Sequence, residues 1–134
     1  MTTGVALTPE QRAKLARVGT ATLSTCLFRR GFRNTVIQNV HPIDAAAPAL
    51  VGEAFTLRFI PAREDLSRLD LYGDPRYAHR RAFDECPPGH VLVIDSRKDA
   101  RAASGGDLLL MRLQARGGAD RAPRGGRQRA GGVR

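Results

Sequence analysis

The sequence lacks any apolar run long enough to cross a membrane, and its first residues lack a signal-peptide pattern. The expected location is therefore the cytoplasm. Two cysteines, Cys26 and Cys86, make neither a metal-ligand spacing nor a disulfide framework, which suits a reducing compartment. The three histidines, His41, His79 and His90, are scattered, and are expected at the surface or at strand ends rather than in a metal cluster. No repeat or low-complexity segment precedes residue 117. The stretch after it, "GGADRAPRGGRQRAGGVR" (Gly117–Arg134), has almost nothing that can enter a core, and no Phe or Tyr.

What is present bounds the rest. A chain of 134 residues makes one domain at most, and 42% hydrophobic residues suffice for a modest core. The formal charge is +9, unevenly spread. From Arg116 onward there are six Arg and one Asp, a net of +5, which leaves +4 for the first 115 residues. The basicity is mainly a property of the tail, and basic tails can bind nucleic acid through phosphates.

Local signals outline the elements. Thr8-Pro9-Glu10-Gln11 predicts a helix start with a capping box and a proline in the first turn. Gly19 is expected to break this helix. A second begins at Thr20 or Thr22 and stops at Gly31, a natural left-handed C-terminal position. "VIQNVH" (Val36–His41) is β-prone. Leu50–Ile60 alternates, with Phe55, Leu57 and Phe59 on one face, and Gly52 suggests a bulge or a close approach. After a polar loop over 61–73, Asp74-Pro75 resembles an N-cap with a first-turn proline. The helix that follows aligns Ala78, Ala82 and Cys86. Pro87-Pro88-Gly89 ends it. "HVLVID" (His90–Asp95) has the continuous apolar character of a strand buried on both faces. Gly105-Gly106-Asp107 then leads into a helix over Leu108–Arg116. This order is α/β, and a further strand is expected after the last helix.

The segment "SGGDLLLM" (Ser104–Met111) can carry chemistry. Glycines between a strand and a helix let a ligand approach the backbone closely. The first helical turn leaves amides free, expected on Leu108, Leu109 and Leu110, and these with the helix dipole favour a carboxylate or phosphate. Asp107 can hold a metal or its bound water. The same residues also fit a plain Gly-Asp loop in which Asp107 is only an N-cap.

Four segments in order, "TATLSTCLFRRG", "APALVGEAFTLRF", "PPGHVLVID" and "GGDLLLMRLQARGGA", resemble the RraA-like family over roughly residues 5–119. That family includes regulators of ribonuclease E activity and class II 4-hydroxy-4-methyl-2-oxoglutarate aldolases, which also decarboxylate oxaloacetate. The resemblance implies a swivelling β/β/α domain, here C-terminally incomplete: a partial domain over 1–116 and an Arg/Gly-rich tail over 117–134. It implies a homotrimer in intact relatives, a divalent metal (Mg²⁺ or Mn²⁺), a pyruvate-like keto-acid substrate and a possible ribonuclease partner. Substrate contacts map onto Gly106, Asp107, Leu108 and Leu109. The family then places a substrate-binding Arg and a metal-binding Asp side by side. Counting on from Asp107 puts them at positions 128 and 129, where this chain has Gln128 and Arg129.

The departure bears on the tail. Its Arg, Gly, Ala and Pro are what GC-rich codons give out of frame, and the resemblance stops where the next strand should begin. An off-frame reading of the gene is therefore the first expectation, a disordered tail the second, and an RNA-binding arm the third. As written, the chain is expected to bind no metal and to have no lyase activity. The alternative roles are protein-binding regulation of a ribonuclease and RNA binding through the tail.

Overall fold

A computed structural model describes residues 6–42, 44–99 and 103–117. The chain divides between Val51 and Gly52 into two compact units.

In the first unit, α1 (Pro9–Leu15) begins at the expected capping box: the Gln11 amide donates to Thr8 Oγ1 at 3.2 Å, and the Thr8 amide to Gln11 Oε1 at 2.9 Å. α1 ends well before Gly19, which serves instead as the N-cap of α2 (Thr20–Arg29). Gly31 terminates α2 in the left-handed region at φ +89°. Two bonds close that end, from the Gly31 amide to Phe28 O and from the Phe32 amide to Leu27 O, both at 3.0 Å. The segment expected as a strand, Val36–His41, forms none. Asn39 takes a left-handed backbone at φ +60° within a turn, which breaks the extended run.

The second unit holds the sheet and the core. β1 (Ala54–Arg58) is the centre of the predicted strand, and its alternation holds: Phe55 and Leu57 are half-buried, while Ala54, Thr56 and Arg58 are exposed. Gly52 lies before the strand, which begins at Ala54. β1 pairs in parallel with β2 (Val91–Asp95) in unbroken register from Ala54–Val91 to Arg58–Asp95. The first four residues of β2 are half-buried and Asp95 is exposed, so the strand is less buried among the described residues than its apolar run suggests.

The connection between the strands carries a 3₁₀ turn (Leu69–Gly73) inside the region read as loop, and then α3 (Ala78–Glu85). α3 starts later than Asp74-Pro75 suggested, with Tyr77 as its N-cap. The Asp74 carboxylate accepts the Arg76 amide at 2.8 Å, a side-chain turn that competes with helix initiation. α4 (Asp107–Ala115) follows β2, capped by Gly106 rather than by Asp107.

α3 packs against β1 and α4. Phe83, Cys86 and Leu113 are buried, with Phe55, Leu92, Ile94, Leu109 and Leu110 packed around them. Ala82 joins the buried set, but Ala78 is exposed, so the inward stripe of α3 runs through Phe83. Burying one Phe contributes about 1.5–3 kcal/mol, which makes Phe83 the largest single apolar term in this core. Two left-handed glycines tie the end of α4 to the turn before β2: Gly89 (φ +77°) donates to the carbonyl of Gly117 (φ +81°) at 2.8 Å. No described helix is long and apolar enough to cross a membrane.

Candidate functional site

The Gly-Asp turn is built by the helix that precedes it in the chain. His79, in the first turn of α3, places Nε2 2.9 Å from the carbonyl of Ser104. A carbonyl oxygen only accepts, so Nε2 carries the proton of this bond. Phe83 packs so tightly on the next residue that a Cβ at Gly105 would lie 2.8 Å from its Cζ. Glycine is required there by this close approach. Gly106, by contrast, has open space where a side chain would stand. His79 itself lies between two rings, 5.6 Å from Phe59 and 5.5 Å edge-on to Phe83. It was expected at the surface or a strand end, and it is a half-buried clamp on a helix.

The first turn of α4 offers fewer amides than expected. The Leu110 amide donates to Gly106 O at 3.1 Å, opening the helical ladder. The Leu108 amide donates to the carboxylate of Asp107 at 2.9 Å. Of the three expected, only the Leu109 amide lacks an acceptor among the described residues. Gly106, Asp107, Leu108 and Leu109 are thus together on one turn, while Gln128 and Arg129 lie outside the described residues.

Beside this turn lies an open cleft of about 340 Å³, lined by Tyr72, Tyr77, His79, Arg80, Leu108, Leu109 and Arg112. Asp84 arranges its two cations. Its carboxylate forms an ion pair with Arg112 from α4 and lies 3.8 Å from Arg80 on its own helix. Arg80 is held further by the Gly73 carbonyl at 3.2 Å. The two tyrosine rings are 5.2 Å apart and tilted by 58°. Burial, and then the neighbouring Tyr72, push the Tyr77 phenol above its ordinary value, so it stays a neutral donor at physiological pH.

The donor set of this cleft suits an anion and not a divalent cation. It contains two guanidinium groups and no carboxylate. Among the described residues no three His, Cys, Asp or Glu side chains come together as a metal-ligand group. Asp107, considered above as a metal ligand, accepts the amide of the next residue on Oδ1.

Sequence reasoning found the turn but missed its surroundings. Arg80 and Asp84 stand four apart on a helix, a spacing that signals a pair. Nothing local signals that Arg112, a turn into α4, shares the same carboxylate.

Fold and cleft together describe a mixed α/β fold with an open cleft, lined by two arginines and two tyrosines, at the start of α4. A model of the RraA-like family, described as Aldolase/RraA, matches residues 20–125, and the chain belongs to that family. The matched span begins at Thr20, leaving α1 outside it, and runs six residues past Ala119 into the basic stretch. No solved structure matches the chain.

Proposed function

We propose that the Gly105–Leu109 turn is the carboxylate-holding half of a keto-acid site of the Aldolase/RraA type, and that this chain binds such acids without cleaving them. The observation that carries the first part is the pinned turn. His79 and Phe83 fix Ser104 and Gly105, so the start of α4, where the Leu109 amide has no acceptor among the described residues, lines the same cleft as Arg80 and Arg112. A preorganised donor set of this kind stabilises negative charge at little reorganisation cost. The second part rests on sequence: Gln128 and Arg129 occupy the positions of the family's Arg-Asp pair, so the carboxylate that would hold a metal is replaced by a cation. The residues described here bind and orient the acid only.

The test has two arms. Oxalate added to isotope-labelled protein is expected to shift the amide signals of Gly106–Leu109. Pyruvate release from 4-hydroxy-4-methyl-2-oxoglutarate, with Mg²⁺ or Mn²⁺ present, is expected to stay at the buffer rate. Release above that rate, abolished by Asp107→Asn, overturns the inactive reading.

A second reading, regulation of a ribonuclease by protein binding, is favoured by one feature of the first unit. Phe28, Phe32, Ile37 and Val40 are each more than half exposed, an apolar surface of the type that partners cover. Retention of ribonuclease E on the immobilised chain, lost in Phe28→Ser/Phe32→Ser, tests it.

A further inference from the structure

The cleft is shared by two helices that both begin without a side-chain cap. α3 starts behind Tyr77 and α4 behind Gly106, and neither cap residue makes a side-chain bond to the amides of its helix. Residues from both first turns, His79 and Arg80 on one and Leu108 and Leu109 on the other, line the same cleft. Two positive helix ends therefore converge on one volume.

Its charge can be counted. Arg80 and Arg112 bring two positive charges, and Asp84, paired to both, removes one. Asp107 adds a further negative charge on the α4 turn. With the guanidinium charge offset in this way, a ligand with one carboxylate is accommodated by the two helix ends. A carboxylate at the far end of the ligand would find apolar walls and no unpaired guanidinium among the lining residues. The other walls are apolar. Leu108 is 78% exposed and Tyr72 51% exposed, while Tyr77 stands beside Tyr72. Clefts of about 300–1,000 Å³ take whole small ligands, a range that includes this one and exceeds what pyruvate alone fills.

Resting on the carboxylate reading of the α4 turn, we infer that this cleft selects a 2-oxo monocarboxylate bearing an aromatic or branched apolar group. The acid lies at the α4 turn and the apolar group against Tyr72, Tyr77 and Leu108. A flat ring suits two tilted tyrosines, because edge-to-face and offset contacts are the favoured aromatic geometries.

The experiment compares pyruvate, phenylpyruvate, 4-methyl-2-oxopentanoate and 2-oxoglutarate by amide shift titration of the full chain. Phenylpyruvate is expected to bind about tenfold more tightly than pyruvate, on the scale of one stacked ring. The branched acid should fall between them, and 2-oxoglutarate should bind no more tightly than pyruvate. Tyr72→Ala/Tyr77→Ala is expected to bring phenylpyruvate down to the pyruvate value, while Tyr72→Phe/Tyr77→Phe keeps the preference. Protection of Cys86 from thiol reagents reports that each variant stays folded. Equal binding of phenylpyruvate and pyruvate, tighter binding of 2-oxoglutarate, or a ring preference that survives the alanine variant overturns the selectivity while leaving the turn's role standing. Absence of any shift at Gly106–Leu109 with pyruvate and oxalate overturns the underlying reading, and this inference with it.

Discussion

The two units differ in where their order comes from. The first, through Val51, has two helices closed by local hydrogen bonds and no buried residue among those described. The second has helices with weak local signatures and holds every described residue that is buried: Ala82, Phe83, Cys86 and Leu113. A capping box or a left-handed glycine fixes where a helix begins or ends at a gain of about 1 kcal/mol. It buries nothing. Burial in the second unit comes from residues far apart in sequence, Phe55 and Leu92 among them, meeting on one face of α3.

The sharpest way to break this contrast is to remove one ring from each unit. Phe83→Ala is expected to cost about 3–5 kcal/mol, enough to unfold the second unit. Phe28→Ala, at a residue 59% exposed, should change stability by no more than about 0.5 kcal/mol. Urea unfolding followed by circular dichroism measures both, and equal losses would erase the distinction.

The cysteines report it as a rate. Cys26 is exposed, whereas Cys86 is buried and burial pushes its thiol above the ordinary value. Thiolate is the reactive form, so Cys86 is expected to react with a thiol reagent at least about a hundredfold more slowly than Cys26 in native protein. The two rates should converge in urea.

Adjacent glycines sharpen the site itself. Gly105→Ala forces a Cβ against Phe83 and should cost about 1–3 kcal/mol, with loss of the oxalate response. Gly106→Ala meets no neighbour within 4 Å and should leave the fold in place.

The smallest effect is electrostatic. The Arg97 amide, and then Arg58, hold the Asp95 carboxyl below its usual range. A depressed carboxylate stabilises the fold above its unfolded value, and that contribution is lost as pH falls through the folded value, below roughly pH 4. Asp95→Asn should therefore flatten the acid side of the stability curve slightly, with little change at neutral pH because the pair with Arg58 is exposed.

The contrast also explains what the sequence disclosed. Thr8–Gln11, Gly31 and the alternation through Phe55 and Leu57 are signals read within a few residues, and each appears where expected. Val36–His41 had β-prone residues but no strand forms, because strand formation needs a partner that composition does not supply. Asp74-Pro75 looked like a helix start and is a side-chain turn, since the same carboxylate suits both. At the site, Gly106–Leu109 was legible from the Gly-Asp spacing. Its supports, His79 on Ser104 and Asp84 on Arg112, join segments more than twenty residues apart and leave no local trace.

The bond between Gly89 and Gly117 also sets an order of events during synthesis. Phe83 and Cys86 leave the ribosome well before Leu113, the buried residue that completes their cluster, and the latch cannot close until Gly117 has followed. Until then a nascent chain carries uncovered the ring that is most buried in the folded unit, so the emergence of α4 and Gly117 bounds an interval open to chaperone capture or misassociation.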